Sequence, residues 1–140
     1  MQGASATERI LHEFTGKLVR TFVVWEPVLP TDWFSPSTSA LKRISDPRAS
    51  QYWDKGRLIS HLMGEHDRHS IVWDHIAVYP PGATWQHGPP QAVYEGGPVV
   101  EVTEQARAAI SQALTGTSPS APPQGATRST RRLRRVTFSQ

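Results

Sequence analysis

At 140 residues the chain is long enough for one domain with a real core. Because it contains no cysteine, it can form no disulfide and no thiolate metal site, and it can carry out no thiol redox chemistry. The formal net charge of +3 is unevenly placed: residues 115–140 hold five arginines and no acid, leaving ten basic against twelve acidic side chains in the rest. No apolar run approaches the ~20 residues of a membrane span, and the N-terminus lacks the basic-then-apolar order of a secretory signal. A soluble chain is expected, cytoplasmic by default.

Taken in order, Ser5-Ala6-Thr7-Glu8 matches a capping box, with Ile10, Leu11 and Phe14 on one helical face and Gly16 as the stop. Residues 18–25 (LVRTFVVW) read as a strand whose second half is apolar on both faces, as in an interior strand covered on two sides; Pro27 and Pro30 end it. A short turn of helix is expected at 40–44. Asp46-Pro47 reads as a helix start, with Ala49, Tyr52 and Trp53 as its apolar side. A further helical pattern runs through Leu58, Ile59, Leu62 and Met63, with Gly56 as a weak point and Gly64 as the stop.

Residues 71–79 (IVWDHIAVY), rich in β-branched and aromatic side chains, predict a central strand. Trp73 and Ile76 are expected in the core, with Trp73→Ala costing about 3–5 kcal/mol. A hairpin partner follows at 92–95, and Thr103 is placed to cap a helix striped by Ala106, Ala109, Ile110, Ala113 and Leu114 up to Gly116. Residues 1–116 then form one domain. Residues 117–140, rich in Ser, Pro, Gly and Arg, are expected to be a disordered basic tail whose removal leaves the body folded.

Candidate chemistry is sparse. His61, His66, His69 and His75 cluster, but a structural zinc site usually draws on thiolates, so exposed loop histidines are the simpler account and no metal is expected. Four of the five tryptophans adjoin an acid: Trp25-Glu26, Asp32-Trp33, Trp53-Asp54 and Trp73-Asp74. On strands this is ordinary alternation; at Asp32-Trp33, between two prolines, a carboxylate beside a ring can line a pocket, although packing is the commoner use of such rings. No nucleophile motif and no phosphate loop occurs, so no catalytic residue and no cofactor is assigned. The arginine-rich tail can touch phosphates, but without a basic folded surface no specific nucleic-acid recognition is expected.

Residues 22–33 (FVVWEPVLPTDW), 46–54 (DPRASQYWD), 72–74 (VWD), 78–82 (VYPPG) and 97–100 (GPVV) carry a resemblance to a group of thioredoxin-like proteins. The resemblance implies an α/β fold, a mixed sheet flanked by helices, and little about activity. Such folds begin with a strand leading into Cys-x-x-Cys at the start of the first helix. Here Met1-Gln2-Gly3-Ala4 stands at that helix's first turn, so the thioredoxin-like arrangement is incomplete and N-terminal shortening is expected. The chain then has a non-redox or binding role, with a protein partner; the alternative is a fragment of a thiol-disulfide oxidoreductase whose cysteines lie upstream, with a histidine-dependent metal-binding protein a distant third. The resemblance would gather Gln2, Ser5, Trp25, Glu26 and Ser70, with Asp32 and Trp33 close by, at one edge suited to an anion. It also leaves residues 18–25 with an unpaired edge prone to self-association.

Overall fold

The computed structural model describes residues 2–29, 31–64 and 72–116. The expected tail therefore lies outside the described residues. Among them the chain is mixed α/β, in the order α1 (Gln2–Glu13), β1 (Thr21–Trp25), α2 (Thr38–Leu41), β2 (Ala49–Trp53), α3 (Leu58–Leu62), β3 (Ile76–Val78), β4 (Tyr94–Gly96) and α4 (Thr103–Thr115). The strands form two separate pairs. β1 and β2 are parallel, in register from Thr21 opposite Ala49 to Trp25 opposite Trp53; β3 and β4 are antiparallel, with Ile76 opposite Gly96 and Val78 opposite Tyr94. α4 packs on α1, β3 and β4, and small residues make this possible: Ala6 and Ala106 are wholly buried, and Ile10, Leu11, Ala40, Ile44, Val78, Val99 and Ala109 are buried with them.

α1 begins three residues before the expected start, so Ser5 lies inside the helix and no capping box forms. Glu8 is used at longer range, accepting hydrogen bonds from the Ser45 N–H and hydroxyl at 3.1 and 2.8 Å and from the Asp46 N–H at 3.3 Å. Residues 49–53 are a strand where a helix was expected. The Asp46 carboxylate accepts the Arg48 N–H at 2.9 Å, turning the chain locally, and β1 then offers a ladder to a Ser-Gln-Tyr-Trp run with little helical preference of its own. α2 lies slightly earlier than expected, capped by the Ser37 hydroxyl, and α3 is confined to five residues before Met63 and Gly64 (φ 85°).

The expected central strand shrinks to Ile76–Val78. Asp74 takes a left-handed backbone (φ 48°), which ends any extended run, and its carbonyl accepts the Val99 N–H at 3.0 Å. A Cβ on Gly3 would collide with the Asp74 carboxylate, and one on Gly97 would stand 2.7 Å from the Asp74 carbonyl, so two glycines make room for this residue. Trp73 is consequently 66% exposed and is not a core residue, while Ile76 is half-buried. β1 is also not covered on both sides, since Phe22 is 61% exposed. Thr103 is the first helical residue rather than the cap; its hydroxyl donates back to the Val99 carbonyl at 2.9 Å.

Burial decides the expected energetics. Ile10→Ala removes a fully buried side chain of α1 and is expected to cost about 2–5 kcal/mol, whereas Trp73→Ala is expected to stay within about 1 kcal/mol. Urea unfolding of the two variants checks the order, and a larger loss for Trp73→Ala would contradict the exposed position.

Candidate functional site

Carboxylates at the ends of the two parallel strands organise the region where site residues were expected. Trp25 and Trp53 stand opposite each other in register, so the acids that follow them, Glu26 and Asp54, leave the sheet side by side. Both reach α3, whose N-cap Arg57 is left-handed (φ 56°) and provides no side-chain cap. Asp54 accepts the Gly56 N–H at 3.1 Å and the Ile59 N–H at 3.0 Å. Glu26 accepts the Ser60 N–H at 3.1 Å and the Ser60 hydroxyl, and lies 4.0 Å from the Arg57 guanidinium. The Ser60 hydroxyl also lies 3.2 Å from the Val72 carbonyl. These acids satisfy helix-end donors that have no partner within the helix, and the Glu26 side chain is only 9% exposed.

The other two tryptophan–acid pairs lie apart from this arrangement. Asp32 accepts the N–H groups of Val28 and Leu29 at 3.1 and 2.8 Å, closing a turn on itself, and Trp33 beside it is exposed. Asp74 lies against Gly3 in the first turn of α1. Trp25 is held through its ring N–H, which donates to Gln51 at 3.0 Å, and the Gln51 amide in turn donates to the carbonyls of Leu41 and Ile44 at 3.0 and 2.9 Å. Of the residues expected at one edge, Trp25 and Glu26 are thus tied to the sheet and to α3, Asp32 and Trp33 belong to a self-closed turn, and Ser70 lies outside the described residues.

Gln2 and Ser5 do come together, in an open groove that also contains Arg9, Arg43 and Val100. Gln2, Ser5 and Arg9 follow one another at three- and four-residue spacing on a single face of α1, a signal present in the sequence; Arg43, placed by the chain after α2, had none. Neither guanidinium has an acid within ion-pair distance among the described residues. The groove presents an amide, a hydroxyl and two cations, a donor set suited to an anion.

No three His, Asp or Glu side chains converge on one point among the described residues. His75 lies 3.8 Å from Glu95 across the β3–β4 hairpin, and His66 and His69 fall outside the described residues. No described helix is long and apolar enough to cross a membrane. Comparison of the chain with models of protein families, with curated proteins and with solved structures finds no match.

Among the described acids, folding shifts the carboxyl of Asp46. Hydrogen bonds from the Arg48 side chain, and then from its backbone N–H, hold the Asp46 carboxyl at about 2 against an ordinary 3.8. A carboxyl depressed by folding contributes stability above its unfolded pKa and loses it as pH falls through the folded value. The melting-temperature difference between the native chain and Asp46→Asn is therefore expected to be full above about pH 4 and to vanish on titration towards pH 2. A difference that stays constant across that window would show that the charge on Asp46 does not matter.

Proposed function

We propose that the chain is a cysteine-less, thioredoxin-like domain that acts by binding a protein partner. The fold part of this reading is supported by the alternation of helices with a parallel strand pair, followed by an antiparallel pair and a closing helix, together with the sequence resemblance. The observation that carries the binding part is the open face of the β1–β2 sheet. Phe22 and Tyr52 project from it, 61% and 54% exposed, with ring centroids 6.4 Å apart, and apolar patches of this kind commonly mark interaction surfaces. The absence of cysteine removes thiol exchange from the chemistry open to the chain itself.

Two measurements test the reading. The purified chain is expected to enhance the fluorescence of an apolar surface dye, with Phe22→Ser combined with Tyr52→Ser removing most of the enhancement. It is also expected to leave dithiol-driven reduction of insulin at the uncatalysed rate. An enhancement indifferent to both substitutions, or catalysed reduction, would defeat it.

The groove on α1 favours a second reading, in which the chain takes a small anion between Arg9 and Arg43. Inorganic phosphate is then expected to raise the melting temperature of the native chain more than that of the Arg9→Gln, Arg43→Gln double variant. Equal shifts in the two proteins would dispose of this reading.

A further inference from the structure

The outer edge of β1 is the least explained feature of the sheet. In the parallel ladder the Thr21 N–H donates to the Arg48 carbonyl at 3.1 Å, and the Trp25 carbonyl accepts the Asp54 N–H at 2.9 Å. Thr21, Val23 and Trp25 thus direct their backbone groups at β2, and Phe22 and Val24 direct theirs the other way, where no strand lies among the described residues. The strand's own sequence carries none of the usual edge protections. Its five residues, Thr-Phe-Val-Val-Trp, include no charge and no proline.

We propose that this edge pairs with the same edge of a second copy of the chain, antiparallel about a two-fold axis at Val23. The strand is self-complementary in that register. Phe22 of each copy faces Val24 of the other, and because both residues turn N–H and C=O outward, the two pairs exchange four N–H···O bonds with no free group left between them. Sliding the copies by two residues would instead pair one outward residue with Arg20 or Glu26, outside the strand. The register at Val23 also sets Arg20 opposite Glu26, so opposite charges meet at both ends. Glu26 keeps its carboxylate on Ser60, so this charge pairing favours the register without carrying it. On the open face, Phe22 and Val24 lie on the same side as Tyr52, and the four-stranded sheet of the dimer joins these side chains into one apolar band. Such an interface is isologous, the form that most homodimers take.

The inference deepens the partner-binding reading by naming an occupant for the sheet edge. Its failure is separable, since a monomeric chain removes the second copy while the dye and insulin measurements decide the reading itself.

Sedimentation velocity of the full chain over a concentration series, with amide hydrogen exchange on the same samples, tests the proposal. A concentration-dependent shift from monomer to dimer is expected, with the Phe22 and Val24 amides gaining protection as the dimer forms and the Val23 amide protected throughout. Val24→Pro deletes an outward donor without touching the ladder to β2, and Phe22→Lys sets a charge at the edge; each is expected to weaken dimerisation about tenfold or more. Should Val24→Pro fail to fold by circular dichroism, Phe22→Lys and the exchange pattern decide. A chain monomeric at every concentration overturns the proposal, as does a dimer that tolerates Phe22→Lys or leaves the Phe22 and Val24 amides unprotected.

Discussion

The Arg48 guanidinium is the point on which the N-terminal half depends. It donates to the carbonyls of Leu11, Phe14 and Lys17 at 2.5, 2.7 and 3.3 Å; the first is an acceptor left open by the end of α1, and the other two also accept the Lys17 and Val19 N–H groups in the turn that follows. It is held in turn by the Asp46 carboxylate at 2.9 and 2.6 Å. A planar fork with several donors can serve three carbonyls and a carboxylate at once, which an ammonium could not do with the same geometry. The positive charge also sits at the negative end of the helix dipole. Because Glu8 meanwhile holds Ser45 and Asp46, one helix grips the residues before β2 at two points, and β2 emerges from that grip already aimed along β1.

The same grip explains where the sequence was readable. Long amphipathic segments declared themselves: α1 and α4 lie close to where Ile10, Leu11, Ala106 and Ala109 place them, since a helical stripe is a local property that burial then confirms. β1 was legible for the same reason, through its run of Phe22, Val23 and Val24. β2 was not. Asp46-Pro47 is a sound local signal for a helix, and what overrules it is Arg48 bound to carbonyls more than thirty residues earlier. The central strand failed for a related reason, because nothing in the Trp73-Asp74-His75 run announces that Asp74 will be left-handed; that follows from its contacts with Gly3, Gly97 and Val99, which belong to three other parts of the chain.

The tryptophan–acid pairs show how a visible pattern can be read correctly in part. Their recurrence was plain in the sequence, yet alternation across a sheet accounts for only half of it. In the structure Glu26, Asp32 and Asp54 all accept backbone N–H groups, and Asp74 rests against the first turn of a helix. In two of the pairs the ring lies largely exposed, Trp33 at 72% and Trp73 at 66%, and Asp32 serves N–H groups within its own turn. For the candidate site this matters, because Glu26, Asp32 and Asp54 are already engaged, whereas Arg9 and Arg43 have no acid within ion-pair distance among the described residues.

The capping of α3 by Glu26 and Asp54 ties this helix to the strand pair. A five-residue helix is far below the length at which a helix persists alone in water, and its donors are met by side chains from the ends of two strands. Glu26 is thirty-four residues from the Ser60 it binds. Of these donors the Ile59 N–H is met locally by Asp54, but the Ser60 N–H meets Glu26 only where β1 lies beside β2. In this chain a helix, usually a local feature, draws part of its hold from a side chain thirty-four residues away, so a change in β1 is felt in α3.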